Sequence, residues 1–204
     1  MDERRAHWDK TYTEKSEDRV SWYQPRPQRS LDLIEAAAPD RAASVIDVGG
    51  GASLLADALL ADGYSDLTVL DISDVALARA KARLGPDAGK LSWIVADITE
   101  WTPPRTWDVW HDRAVFHFLT DTANQDAYIA ALRRGTHLGS AVILSTFALS
   151  GPERCSGLPV QRYSPETLAA RLGSDFTMYD QAGETHATPF GTTQNFTYAA
   201  FRRQ

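Results

Sequence analysis

Gly49-Gly50-Gly51 is followed by two carboxylates at set distances: Asp71 comes 20 residues after Gly51, and Asp97 comes 26 residues after Asp71. Glycines let a backbone approach a ligand closely and take dihedrals that other residues cannot. A carboxylate about 20 residues beyond such a turn can accept hydrogen bonds from both hydroxyls of a ribose. Asp97 can accept from an adenine amine, and Ile72 and Ile98, each next to an aspartate, can sandwich a flat base. Asp47 adds negative charge just before the turn. Two phosphate-binding patterns fit poorly. A dinucleotide turn wants a third glycine where Leu54 stands, and a phosphate loop wants a lysine that the segment lacks.

A second set of residues can move protons or hold charge. Asp112, His117, Tyr163 and His186 are candidate catalytic groups. Arg113 and Arg162 can bind an anionic acceptor or lower its pKa. Trp22, Tyr23, Phe116, Phe118, Tyr163 and Phe190 can line a small aromatic pocket. Trp22 and Tyr23 lie in a proline-flanked link, where core packing does not explain them, so they are expected to touch cofactor or substrate. The histidines show no ligand spacing, and no metal site is expected.

The elements that must position these groups alternate. Strands are expected over Ser44–Val48, Leu67–Asp71, Leu91–Ala96, Trp107–Asp112 and Ser140–Ala148. Helices are expected over Ser53–Ala61, Val75–Leu84, Asp121–Arg134 and from Ser164 onward. This alternation specifies βαβ units in a doubly wound α/β sheet. Two last strands, Phe176–Ala182 and Gln194–Arg202, have no helix between them, so they pair antiparallel across a long polar loop, Gly183–Thr193. In such a sheet ligands bind beyond the carboxyl ends of the strands. That rule brings the segments after the fourth, fifth and sixth strands to one edge. The first 43 residues precede the sheet and carry two expected helices, Arg4–Lys15 and Gln28–Ala38.

The run Val45-Ile46-Asp47-Val48-Gly49-Gly50-Gly51, then Leu70-Asp71, Ala96-Asp97-Ile98 and Trp107-Asp108-Val109, resembles the class I S-adenosylmethionine-dependent methyltransferases. Ser53 departs from the pattern, where many members carry another glycine. The resemblance implies a Rossmann-like methyltransferase fold, a seven-stranded mostly parallel sheet of order 3-2-1-4-5-7-6 with strand 7 antiparallel. It also implies that Gly49 and Gly51 pass under the methionine part of S-adenosylmethionine, Asp71 holds the ribose and Asp97 the adenine amine. Methyl transfer needs no covalent intermediate, so Cys155 is expected to be a buried thiol and not a nucleophile. The opening His7-Trp8-Asp9-Lys10-Thr11-Tyr12, with Trp22-Tyr23, resembles small-thiol methyltransferases and also the protein-lysine methyltransferases. The expected organisation is a helical lid over residues 1–43 and a methyltransferase domain over 44–204.

Composition bounds the partners. The chain has 204 residues, 43% apolar and 24% charged, which fits one globular domain. A net charge of −6 argues against phosphate-backbone binding, so no nucleic-acid partner is expected. No apolar run is long enough to cross a membrane, and a single cysteine suits a reducing cytoplasmic compartment. With little chain outside the cofactor fold, the expected acceptor is a small molecule, with a thiol favoured, and the expected state is a monomer or homodimer. A protein-lysine acceptor and a non-catalytic S-adenosylmethionine binder are the alternatives.

Overall fold

A computed structural model describes residues 3–204. Seven strands form one sheet: β1 (Ser44–Val48), β2 (Asp66–Asp71), β3 (Ser92–Val95), β4 (Trp107–Arg113), β5 (Thr136–Phe147), β6 (Phe176–Ala187) and β7 (Thr193–Arg203). Their order is β3-β2-β1-β4-β5-β7-β6. The first five are parallel, and β7 runs antiparallel between β5 and β6. This is the expected fold. Central β1 and β2 are buried along almost their whole length, as strands covered by helices on both faces must be.

Six helices complete the layers: α1 (Glu3–Glu14), α2 (Gln28–Ala37), α3 (Leu55–Ala61), α4 (Asp74–Leu84), α5 (Thr122–Arg134) and α6 (Pro165–Leu172). On one face Leu31 and Ile34 of α2 and Leu55 and Leu59 of α3 pack on Val45, Val109 and Ile143. On the other, Tyr128 and Leu132 of α5 and Leu168 of α6 pack on Ile46, Trp110 and Val142. Ser73 caps α4 by accepting from the Ala76 amide, and Ser164 with Thr167 forms a capping box on α6.

The register of β1 on β4 decides which side chains can meet. Asp47 lies opposite His111, and Val48 lies opposite Asp112. Side chains alternate along a strand. Asp47, His111 and Arg113 therefore share the α2 face, while Asp112 enters the α5 face.

The terminal hairpin is longer than expected. β6 runs to Ala187, so Gly183 to Ala187 belong to a strand, and only five residues turn into β7. The polar residues there look like a loop in sequence because β6 is an edge strand with mostly exposed side chains, while its backbone pairs with β7.

Candidate active site

A cavity, partly open to solvent, lies beyond the carboxyl ends of β1, β2, β3 and β4. Val48, Gly49, Leu70, Asp71, Ile72, Ala96, Asp97 and Ile98 wall one end. Arg113, Ala114, Val115, Phe118, Cys155 and Phe196 wall the other, and Arg4, Trp8, Tyr12 and Trp22 of the N-terminal segment cover it. Ile72 and Ile98, the pair expected to sandwich a base, line the cavity with both aspartates.

The glycine turn is shaped by close approach. A Cβ on Gly49 would lie 1.9 Å from Val115 Cγ2, at φ +70°. A Cβ on Gly51 would lie 2.8 Å from Asp71 Oδ2, at φ +46°. No side chain fits at either place without displacing a wall of the cavity.

Asp71 is 6% exposed, and its Oδ1 accepts from the Ser73 amide at 2.7 Å. Burial pushes its pKa up to about 7, and the charges of Asp47 and Asp9 add to the rise. Asp97 Oδ1 accepts from the Thr99 amide at 2.9 Å and the Thr99 hydroxyl at 2.7 Å. That leaves Asp97 Oδ2, which pairs with Arg4 Nη2 at 3.1 Å. Each aspartate is anchored to the backbone by one oxygen, and the other oxygen of Asp97 is engaged by Arg4. These residues fit a bound adenosine: two acceptors, two flat apolar walls and a side-chain-free turn.

A second, smaller space continues along the turn. It shares Tyr12, Trp22, Gly49 and Arg113 with the first and adds Tyr23, Gln24, Ser30, Asp47, Gly50 and His111. It holds an anion, Asp47, and a cation, Arg113. Those are the charges an amino-acid tail requires, so the two spaces together suit adenosine at one end and a zwitterion at the other.

Arg113 is held on several sides. Its Nε donates to Tyr198 Oη at 3.0 Å, its Nη1 to the Trp22 carbonyl at 3.2 Å, and its guanidinium lies 4.3 Å from the Phe196 ring centre. Glu184 Oε2 stands 3.8 Å from Nη2. Ala114, next in chain, takes φ +73°, a backbone state costly for alanine and frequent at functional sites.

Several expected catalytic groups lie elsewhere, which corrects the sequence reading. Asp112 is fully buried and accepts from the Val115 and Phe116 amides and from Tyr128 Oη at 2.6 Å. Burial pushes it up to about 6, and its acceptor capacity is spent on fixing the turn after β4. His117 is fully buried too. Its Nδ1 accepts from the Phe147 amide, and burial, with Arg113 nearby, holds its pKa down at about 3. Tyr163 packs on Phe116, with its hydroxyl pushed up to about 12 by burial. Phe116 is core, inside the α5 layer. Arg162 donates to the Leu149 and Gly151 carbonyls and pairs with Glu153, tying down the segment after β5. Phe190 is exposed in the hairpin turn. None of these walls either space.

His186 also lies outside the walls, but it acts on one of them. Its Nε2 donates to the Ser21 carbonyl at 2.8 Å. Gln194 reaches the Ser21 hydroxyl, and Gln24 donates to Glu184. The terminal hairpin therefore latches the link that carries Trp22 and Tyr23.

The residues missing from the sequence reading of the site are Arg4, Trp8, Tyr12, His111 and Phe196. Trp8 and Tyr12 are one helical turn apart on α1, so they share a face. Trp8 meets Trp22 edge-on at 5.8 Å and Phe118 at 5.1 Å. Cys155 walls the cavity, and burial pushes its thiol up to about 11, far from the reactive thiolate form. Among the described residues, no group of three or more His, Cys, Asp or Glu stands close enough to hold a metal ion, and no helix is long and apolar enough to cross a membrane.

A parallel sheet with an antiparallel β7 and a side-chain-free turn facing two aspartates define a class I methyltransferase architecture. Residues 45–137 match the methyltransferase domain family, and this part carries the glycine turn, Asp71 and Asp97. Over this stretch the chain is similar to methyltransferases, and its fold is the Rossmann-like methyltransferase fold.

The whole chain also resembles solved structures. NodS, an N-methyltransferase from Bradyrhizobium japonicum WM9 in complex with S-adenosylhomocysteine, is 17% identical, with 96% of this chain and 97% of that one covered and a TM-score of 0.71. The 1,6-didemethyltoxoflavin-N1-methyltransferase of Burkholderia thailandensis is 17% identical, covering 98% and 84%, at 0.70. A structure described under the conversion of a disulfide bond into a thioacetal group during echinomycin biosynthesis is 20% identical, covering 98% and 93%, at 0.76. At these identities the likeness is one of fold. No curated protein matches the chain.

Proposed function

We propose that the protein transfers the methyl group of S-adenosylmethionine to a small acceptor, a thiol first, held under the N-terminal segment. The observation that carries this reading is the aromatic end of the cavity: Trp8, Tyr12 and Trp22 of the N-terminal segment line it together with Phe118, Phe196 and Cys155, and Trp8 closes edge-on against Trp22 and Phe118. A lysine side chain on a protein would have to enter through that aromatic end. The similarity to enzymes whose names specify small acceptors supports the same reading.

When bound, the cofactor supplies an electrophilic methyl on a sulfonium. Asp71 and Asp97 orient its adenosine, and Asp47 and Arg113 face its amino-acid tail. The aromatic roof excludes water, which strengthens every electrostatic contact beneath it. Among the described residues at the aromatic end of the wall, none is a ready general base: Tyr12 is shifted well above its ordinary range by burial, and Cys155 is pushed up to about 11. The chain's work is orientation and exclusion, and the acceptor must supply its own lone pair. A thiol can meet that demand as a thiolate, with the Arg113 guanidinium favouring the anion. An uncharged ring nitrogen meets it directly.

The test is release of S-adenosylhomocysteine over a panel of thiols, heteroaromatic nitrogens, amines, phenols, carboxylates and a lysine peptide. Turnover on a small thiol or ring nitrogen is expected. Turnover confined to the peptide would overturn the small-acceptor reading, and cofactor binding without turnover on any of them would favour a binding protein.

A further inference from the structure

The β1–β4 register sets Asp47 beside His111, and α2 brings a third polar group to them. His111 Nδ1 lies 2.7 Å from Asp47 Oδ1, and His111 Nε2 lies 2.9 Å from Ser30 Oγ. All three are buried, at 5%, 2% and 0% exposure for Asp47, His111 and Ser30. A carboxylate only accepts, so the His111 proton that faces Asp47 sits on Nδ1. The second Asp47 oxygen, Oδ2, lies against the glycine turn, 2.5 Å from where a Gly50 Cβ would stand. Its orientation is thus set from one side by the turn and from the other by the imidazole.

We propose that His111 is a positioning residue for the cofactor: held by Ser30, it fixes Asp47 so that Oδ2 faces the amino group of the cofactor's amino-acid tail. This rests on the reading that the tail occupies the space along Gly49 and Gly50. A buried carboxylate that rotates away from its ligand loses a charge-assisted contact, and the ring denies it that freedom. The arrangement also makes α2 part of the cofactor site. A segment counted as lid by its place in the sequence reaches the tail through one serine.

Two amides separate the contacts of the ring. Asparagine keeps a donor near the Nδ1 position, toward Asp47. Glutamine places its amide near Nε2, toward Ser30, and leaves Asp47 unheld. Calorimetric titration with S-adenosylhomocysteine should show His111→Gln weakened roughly tenfold or more and His111→Asn within about threefold of wild type. Adding His111→Gln to Asp47→Asn should cost no more than Asp47→Asn alone, because His111 acts through that carboxylate. Thermal midpoints recorded alongside show whether each variant folds. A packing role would lower both midpoints together and leave the two affinities alike. Ring 15N shifts of wild-type His111 should place a proton on Nδ1, and they do not depend on any variant folding. Equal affinities for the two amides, additive losses in the cycle, or a proton confined to Nε2 would overturn the proposal. Wild-type protein that binds no S-adenosylhomocysteine would overturn the underlying cofactor reading as well, while normal wild-type binding with an unaffected glutamine variant would overturn the positioning role alone.

Discussion

The two ends of the cavity are built by different means. At the adenosine end, strand ends and turns fix each polar group: Asp71 is tied to the Ser73 amide and Asp97 to Thr99, each by one oxygen. At the other end, side chains fix side chains. Trp22 and Phe118 each meet Trp8 edge-on, and Arg113 is held by the Tyr198 hydroxyl and the Phe196 ring. Backbone anchoring sets a geometry that varies little with the surrounding side chains. Aromatic packing sets a shape that changes with each residue. The first suits a cofactor and the second suits selection of an acceptor.

The largest expected effect strikes the adenosine end. Gly49→Ala adds a methyl 1.9 Å from Val115 Cγ2 at a positive φ. It is expected to destabilise the fold by about 2–4 kcal/mol and to abolish cofactor binding in the protein that remains. Denaturant unfolding and calorimetry read the two losses. Wild-type affinity would show that the turn yields freely.

Trp22→Ala acts on the acceptor end. It is expected to lower turnover on a small acceptor by roughly tenfold or more, while the S-adenosylhomocysteine affinity changes less. Equal losses in both would mean that the roof serves the cofactor as much as the acceptor.

The smallest effect tests a place where the N-terminal segment meets the adenosine end. Arg4 of α1 pairs with Asp97 Oδ2, the oxygen that an adenine amine would take. Arg4→Ala is expected to tighten S-adenosylhomocysteine binding by a few-fold, since a competing partner is removed. Weakened binding would show that Arg4 contacts the bound cofactor.

The same contrast explains what the sequence could disclose. Gly49, Gly51, Asp71 and Asp97 sit at strand ends, and their spacing follows from the lengths of βαβ units, so local patterns find them. By residue type Asp112 is a natural choice at the end of β4, yet its neighbours His111 and Arg113 line the two spaces. Alternation tells that the three cannot share a face, but only the β1–β4 register tells which face Asp47 occupies. Arg4 meets Asp97 across 93 positions, and no local signal marks the pair. Trp8 and Tyr12 lie on a helix whose other residues, Ala6 apart, are polar or charged, so its apolar stripe is too narrow to read. His117 and Tyr163 carry reactive groups by type and serve packing by position: His117 lies on Phe147, and Tyr163 lies on Phe116.

The anchoring of Asp71 gives the most direct test. In the free protein its pKa stands near 7, raised by burial. Only the ionised carboxylate accepts from both ribose hydroxyls, so affinity must rise as pH climbs through that value. Calorimetric titration with S-adenosylhomocysteine from pH 6 to pH 8 is expected to tighten by about tenfold, and Asp71→Asn is expected to flatten that part of the rise and weaken binding by roughly 1–3 kcal/mol at the upper pH. Asp71→Asn protein with wild-type affinity and an unchanged pH profile would contradict the account, because the ribose would then be held elsewhere.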